Sequence, residues 1–465
     1  MQKMKIKEIK KALSAELLIG DPEVEIKNIV IDSREVETGD LFIALIGDND
    51  DGHNYLEDAA ANGASAVIVE NLSADFDEVE TAVLKVEDTT EALQQLAAYY
   101  RRKHKNLKVV AVTGSAGKTT TKDMTAAVLA QKYNTLKTKG NYNNHIGLPL
   151  TLLSLNGEED YAVVEMGMSG FGEIELLAEI ASPDTGIVTN VGPAHLKQLG
   201  SLENIAKAKR ELVDSLDKSG TAFLNYDNQY TRKMGDDYEG RVIYYGFEKG
   251  ADLRIISHNF NKEEFKQQFE VEYLGKKYNF YIKKPGKHNI YNALAAVGIG
   301  LENQLSSKEI QKGLLEADFT SLRMEILELD NNITLINDCY NANPLSVKAA
   351  ADVLSEFEAE RRIAVLSSML ELGPKSDSAH RNIGSYIYQK NIDLLLTVGS
   401  EAELIAEGAA EAGMDAEKIF SFANNEQTAD FLETILVEKD VLLVKGSRAN
   451  KMEEIAEKLM GKELN

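Results

Sequence analysis

Residues 109–124, VVAVTGSAGKTTTKDM, constrain the fold more than any other stretch. An apolar, strand-like run enters a turn with glycines at 114 and 117, and Lys118 and Thr119 open a helix-compatible segment. A strand feeding a glycine-rich turn that opens a helix is the local form of a phosphate-binding loop. The two glycines let backbone N–H groups point inward, and the N-terminus of the helix faces the same spot, which together favour a polyphosphate. Lys118 has the reach for terminal phosphates, and the Thr119 hydroxyl is a Mg²⁺ ligand type. The candidate nucleotide loop is therefore Thr113, Gly114, Ser115, Ala116, Gly117, Lys118, Thr119 and Thr120. The usual pattern has one more glycine, at the position held here by Val112.

The loop sits in a chain of alternating apolar runs and helical stretches. Residues 1–86 offer strands at 25–33, 40–45 and 64–70 and a helix at 55–63 ended by Gly63, a small α/β unit. A helix over 89–105 leads into a second unit, 87–318, with strands at 107–112, 161–167, 186–192 and 220–227. Strands alternating with helices imply a mostly parallel sheet with ligands at the carboxyl ends of its strands. Within that unit, residues 241–283 alternate and carry aromatics, the pattern of a local antiparallel patch, and 285–301 reads as a loop entering a helix. A third unit, 319–465, repeats the α/β alternation with strands at 333–338, 362–368, 393–399, 418–423 and 440–447 and a helix over 400–413, a Rossmann-like arrangement. The expected fold is thus α/β in three domains, with the phosphate loop in the central one.

The chain of 465 residues has a formal net charge of −24, which argues against nucleic acid as a main partner. A small anionic ligand remains open, because local sites on an acidic protein can be basic. The single cysteine, Cys339, allows no intramolecular disulfide and reads as a small apolar filler. No secretory signal is apparent at the N-terminus, and no apolar stretch approaches the roughly 18 residues of a membrane span. A soluble, cytoplasmic protein is expected.

A GTPase would carry an Asn-Lys-x-Asp base-reading motif, and the nearest stretch, Asn261-Lys262-Glu263-Glu264, lacks the aspartate. Glu165 ends an apolar run and should project at the carboxyl end of a strand, where a metal-binding carboxylate belongs, or else be a solvated strand end. His195, in TNVGPAHL, follows another strand of the same sheet. A lone histidine after a loop is more often structural than a ligand, but its place in that sheet favours the site.

These segments, TGSAGKTT, VVEMG, NVGPAHL and the later GKHNIYNALAA, resemble the Mur ligases, ATP-dependent amide-forming enzymes of peptidoglycan precursor synthesis. Val112 fits that family, whose phosphate loop lacks the first glycine. DSREVETGDLFIAL (32–45), TKGNYNNHIGLPLTLL (138–153) and NDCYNANPLSV (337–347) are similar to the branch that adds D-alanyl-D-alanine to UDP-N-acetylmuramoyl-tripeptide (UDP-MurNAc-tripeptide). The resemblance covers nearly the whole chain. Another amino-acid ligase on the same scaffold, such as a folylpolyglutamate synthase, or a non-catalytic nucleotide-binding scaffold, are the competing readings.

The resemblance implies ATP as cosubstrate and a γ-phosphoryl transfer to a peptide carboxylate, with Lys118 neutralising charge. It implies two Mg²⁺ ions, one on Thr119 and Glu165 and the second on His195, and a carbamate on the lysine of AKAKREL, with the register favouring Lys209 over Lys207. An ordinary exposed helix lysine is the plain alternative there. His288, Asn289 and Asn292 match the family's adenine segment, Arg323 an arginine that reaches ATP, and Asp338 an aspartate associated with ribose. Read from the residues alone, Asp338 could equally cap a turn and Asn289 start a helix. Ser33 and Arg34 are candidates for the uridine nucleotide, Asn143, Asn144 and His145 for the muramoyl route, and Asn341 and Asn343 for the dipeptide, while Lys445 and Arg448 could meet a carboxylate. With the ATP residues divided among units, open and closed forms are expected of a monomer.

Overall fold

The structure is a computed structural model that describes residues 1–72, 81–261, 264 and 266–461. Lys262 and Glu263, within the 261–264 stretch considered above, lie outside the described residues.

In the N-terminal unit, five strands lie in the order Glu16–Ile19, Ala82–Lys85, Ala66–Val69, Leu41–Ile43, Ile29–Val30, parallel except at the Glu16–Ile19 edge. The predicted strand over 25–33 is split. Glu25–Ile26 pairs antiparallel with Met4–Lys5, Ile29–Val30 joins the sheet, and the chain then turns into a 3₁₀ segment, Ser33–Glu35, whose Arg34 N–H is capped by the Asp32 side chain. The short carboxylate hydrogen-bonds the backbone two residues on, which ends the strand.

The helix Thr89–Lys103 starts where the Asp88 side chain accepts from Glu91 N and ends in three basic residues, as the helix dipole favours. Its apolar face, Leu93, Leu96, Ala97 and Tyr100, follows the i, i+3, i+4, i+7 spacing and is fully buried. It packs on the helices Ile6–Leu13, Gly147–Leu153 and Glu173–Ala181, so the connector is part of a core shared by the first two units.

The central sheet has nine strands. Six run parallel in the order Arg241–Gly246, Thr221–Asn225, Thr185–Val188, Lys108–Thr113, Tyr161–Glu165, Thr135–Lys137. Leu253–Asn261, Lys266–Tyr273 and Lys276–Ile282 extend the same sheet, antiparallel among themselves. The expected antiparallel patch is therefore continuous with the parallel sheet. Arg241–Gly246, assigned to that patch by its alternation, instead pairs in parallel with Thr221–Asn225, because a crossover through the helix Gln229–Met234 delivers it in the same direction.

The third sheet runs Glu325–Leu329, Ile333–Asn337, Val441–Lys445, Arg362–Ser367, Leu394–Val398, Ile419–Phe422, parallel except at the first strand. Its central strands, such as Val441–Lys445, are buried along their whole length, as a sheet covered on both faces requires. No helix among the described residues is long and apolar enough to cross a membrane.

Candidate active site

Register places the site. Val112 pairs with Glu165 and with Ile187, and Thr113 with Val188, so three adjacent parallel strands end level with one another. The loop after the first, Glu165 on the second and Thr189-Asn190 after the third converge at the carboxyl edge of the sheet. Val112 is fully buried within its strand, which explains why no glycine is needed there.

Gly114 (φ +150) and Gly117 (φ +82) both hold conformations that glycine tolerates. A Cβ at 114 would overlap the Thr189 hydroxyl and one at 117 would overlap Asn292 Oδ1. Asn190 braces the turn: its backbone O accepts from Ser115 N (3.0 Å), its Oδ1 accepts from Ala116 N (3.0 Å) and its Nδ2 donates to Ala116 O (3.0 Å). No side chain caps the helix Lys118–Leu129, so its first N–H groups face the cleft. Lys118 Nζ folds back to donate to Gly114 O (2.9 Å), and burial holds its pKa below the usual lysine range, with Glu165 opposing that shift.

Glu165 is 2% exposed. Thr138 Oγ1 accepts from its N–H (3.0 Å), Asn143 Nδ2 donates to its Oε1 (2.8 Å), and Oε2 is buried without a partner among the described residues. With Thr119 also buried on the opening turn of the helix, these donors fit Mg²⁺, which takes one or two protein oxygens and completes its shell with phosphates and water. Among the described residues no group of three or more His, Cys, Asp or Glu side chains could hold a metal ion without such help. His195 (φ +56) precedes the short helix Leu196–Leu199, and its Nδ1 lies 2.6 Å from Glu371 Oε2, out of line for a hydrogen bond but within ion-pair distance. Lys207 is exposed, whereas Lys209 is 1% exposed and held well below the usual lysine pKa by burial and then by the Lys118 charge.

Beside the loop lies a cavity of 640 Å³ walled by the central and third units. His288, Asn289, Asn292, Arg323 and Asp338 all line it, together with Ala116 and Gly117. Asn292 Oδ1 accepts from Thr121 Oγ1 (3.2 Å), its Nδ2 donates to Asn289 Oδ1 (3.2 Å), and Asn289 Nδ2 donates to Pro285 O (2.8 Å), a chain that ties the loop at 285 to the phosphate helix. Arg323 lies 3.8 Å over the Tyr340 ring and its buried Nε has no partner among the described residues. Both Asp338 oxygens are engaged, Oδ1 by Met324 N (3.1 Å) and Oδ2 by Lys445 Nζ (2.6 Å). Lys445 thus meets the carboxylate of its own unit, and Arg448 pairs with Glu453.

Loss of solvation pushes the His288 pKa down to about 4 from an ordinary 6.5. Below about pH 6.5 the unfolded chain gains a proton that the folded protein refuses, so stability should fall as pH drops from about 6.5 to about 4. Urea midpoints at pH 7 and pH 5 should differ less in His288→Asn than in the wild type.

The remaining candidates are spread out. Ser33 is buried in the 3₁₀ turn of the first unit, Arg34 is exposed and paired with Asp32 (2.5 Å), and neither lines the cavity. Asn144 Oδ1 accepts from Gly147 N (2.8 Å) at the start of the helix Gly147–Leu153, and His145 is exposed. Asn341 Oδ1 accepts from Ala342 N (2.8 Å). Asn343 caps the helix Pro344–Glu356 in a capping box and its Nδ2 reaches Ser115 O (3.4 Å) across the unit boundary. Asn343→Ala should cost about 1 kcal/mol through the lost cap alone, read as a lower unfolding midpoint. Cys339 is buried and donates to Val444 O (3.4 Å), and its burial raises the thiol pKa well above the ordinary range.

Sequence reading missed Asn190, Glu371 and Lys284. Asn190 lies inside TNVGPAHL, a segment read only for its histidine, and polar residues directly after a sheet strand were the available signal. Lys284 donates to Arg323 O (2.6 Å) and lies 4.3 Å over the Phe319 ring. Glu371 had no local signal.

A parallel sheet ending in a phosphate loop, a strand-end carboxylate and a cleft shared with a Rossmann-like unit define a nucleotide-dependent transferase or ligase scaffold. Residues 25–101 match the Mur ligase family catalytic domain, 112–300 the Mur ligase middle domain and 322–448 the Mur ligase, glutamate ligase domain. The chain is 36% identical over 446 residues to the UDP-N-acetylmuramoyl-tripeptide–D-alanyl-D-alanine ligase of Bacillus subtilis (strain 168), covering 95% of each. Its fold is similar to that of MurF from Acinetobacter baumannii, with a TM-score of 0.91, 32% identity, and 99% and 100% of the two chains covered. It is also similar to MurF ligase from Thermotoga maritima in complex with ADP, with a TM-score of 0.83, 28% identity, and 94% and 97% covered. The chain belongs to the Mur ligase family.

Proposed function

We propose that this chain is an ATP-dependent carbon–nitrogen ligase that joins D-alanyl-D-alanine to UDP-MurNAc-tripeptide in peptidoglycan precursor synthesis. The reading is carried by 34–36% identity, over nearly the full length, to ligases named for that reaction. The phosphate loop, opening on a helix N-terminus without a side-chain cap among the described residues, and the Glu165 oxygen buried beside it without a partner among them support it.

The tripeptide carboxylate takes the γ-phosphoryl group of ATP, forming an acyl phosphate as the bond to the β,γ-bridging oxygen breaks. The dipeptide amine then attacks the acyl carbon, phosphate leaves, and the nitrogen loses a proton. Two anions must meet in the first step, so most of the protein's work is positioning and charge neutralisation. Lys118 leaves Gly114 O and turns to the terminal phosphate. The amides at the start of the helix Lys118–Leu129 hold the phosphate chain. Glu165, oriented by Asn143, and Thr119 would hold one Mg²⁺, and His195 and a carbamate on Lys209 a second. Bound Mg²⁺ would draw charge from the phosphoryl oxygens. His288, Asn289 and Asn292 face adenine, Asp338 the ribose, and Arg323 the phosphates.

The three units divide the ligands. Residues 1–86 take the uridine nucleotide through Ser33 and Arg34, 87–318 take ATP, and 319–465 take the dipeptide, with Asn341 and Asn343 near it. Asn143, Asn144 and His145 lie on the muramoyl route. The protein works in the cytoplasm as a monomer without a nucleic-acid partner.

Phosphate release should require ATP, UDP-MurNAc-tripeptide and D-Ala-D-Ala together. The panel should be run with lysine and with diaminopimelate at the third peptide position. Release driven instead by a folate and glutamate, or tight ATP binding with no dipeptide-dependent turnover, would overturn the proposal.

A further inference from the structure

The segment 368–373 follows the strand Arg362–Ser367 and is fastened to the third unit from behind. Asn450 Nδ2 donates to Ser368 O (3.1 Å), the fully buried His380 accepts from Met369 N at Nε2 (2.9 Å), and Ser447 Oγ accepts from Leu370 N (3.1 Å). These bonds make the segment move with the third sheet.

Its tip crosses to the central unit. Glu371 O accepts from Lys197 N (3.0 Å), and Glu371 Oε2 lies 2.6 Å from His195 Nδ1. The approach is tight, since a Cβ at Gly373 would stand 3.0 Å from Lys197 Cα. Both members of the pair are strained: Glu371 has φ +65 and His195 φ +56. A non-glycine residue in this left-handed region is strained. Glycine would relieve that strain at either position. A carboxylate and an imidazole held there, against each other and across a unit boundary, point to a use for the side chains themselves.

We propose that Glu371 is a positioning residue for the ligase reaction, which orients the His195 imidazole toward the phosphate end of the cleft when the third unit is docked. The inference rests on the ligase reading above. A carboxylate held at ion-pair distance from Nδ1 biases the ring toward the position that leaves the other nitrogen to face the reacting groups. Because the carboxylate arrives on the third unit, His195 is oriented only in the closed arrangement, and chemistry is tied to closure. A purely structural contact would need only the backbone bond from Lys197 N.

Glu371→Gly separates the two, because it keeps the backbone acceptor, relieves the strain and deletes the carboxylate. The expected result is an unfolding midpoint equal to or above wild type. With it, kcat should fall about 10- to 100-fold and KM for UDP-MurNAc-tripeptide should stay within about twofold. Mn²⁺ affinity in the presence of a non-hydrolysable ATP analogue, read by electron paramagnetic resonance without turnover, should weaken about tenfold. In a His195→Ala background the same change should add little, since both act through one ring. Wild-type kcat and Mn²⁺ affinity in Glu371→Gly, or losses that add fully in the double variant, would overturn the proposal. If Glu371→Gly does not fold, Glu371→Gln serves, and wild-type values in it would overturn the proposal equally. The Mn²⁺ measurement stands apart from the substrate panel, so failure of the ligase reading and failure of this one are distinguishable.

Discussion

Lys118→Met should lower kcat by about 10²–10³-fold, the loss of one preorganised donor to a developing phosphoryl charge being worth ~3–4 kcal/mol. The fold should survive, because the Nζ makes one hydrogen bond, to a carbonyl of its own loop, and methionine keeps much of the apolar stem's volume. The structure sharpens the expectation. Lys118 is desolvated, and its neighbours pull in opposite senses, Glu165 and Glu371 favouring the charged form and Arg323 opposing it. A phosphate arriving beside it supplies the missing counter-charge, so binding ATP should raise the lysine pKa. Steady-state kinetics together with ATP affinity by calorimetry provide the check. A loss confined to KM, with kcat unchanged, would mean that Lys118 contributes only ground-state binding.

What the sequence disclosed and what it withheld divide along a physical line. Strand runs and the turn between Thr113 and Thr119 are local, and the loop and the strand carrying Glu165 lie where their apolar patterning put them. Lys209 over Lys207 came from the resemblance and its register, and the structure adds a physical reason: on the helix Leu202–Asp214, position 209 shares a buried face with Ile205, Leu212 and Val213, while 207 is exposed. Pairings between distant segments left no such trace. Nothing near Glu371 marks it as the partner of His195, and nothing in NYNNHIG says that Asn143 will hold one oxygen of Glu165. Arg241–Gly246 reads as an antiparallel strand because alternation reports which faces are buried and not the direction of the neighbour. Residues chosen for ligand contact also turned out to be engaged at home. Asp338 spends both oxygens on Met324 and Lys445, and Asn343 caps a helix while reaching the phosphate loop. Such residues can brace the cleft and face a ligand together, and sequence alone offers no means of weighing the two.

Lys209→Met should move stability and activity in opposite directions. The lysine is buried on the core face of the helix Leu202–Asp214, no salt bridge among the described residues holds it, and the nearby Lys118 charge adds to the burial that depresses its pKa. Burial and the Lys118 charge disfavour the protonated amine in the folded protein relative to the unfolded chain, so in CO₂-free buffer this side chain costs stability. The sign follows from linkage: the unfolded state binds more protons below the ordinary lysine pKa of 10.5, so wild-type stability should rise toward pH 10 and the gap to Lys209→Met should close. Methionine removes that cost with little change in volume, and its urea midpoint at pH 7 should exceed the wild-type value. Activity should nevertheless fall by two orders of magnitude or more, on the order of the 2.7–4 kcal/mol that one missing electrostatic contact costs a transition state. The same lowered pKa favours the neutral amine, the form that adds CO₂, and the carbamate formed would exchange repulsion of Lys118 for attraction and supply oxygens for a cation. Wild-type protein freed of CO₂ should accordingly regain turnover when bicarbonate is added, and ¹³C-labelled bicarbonate should give a carbamate resonance absent from Lys209→Met. Lys207→Met, altered on the exposed face two residues away, should keep both the resonance and the rate. A Lys209→Met protein that turns over at the wild-type rate would remove the carbamate from the mechanism and leave His195 and Glu165 to carry the metal chemistry.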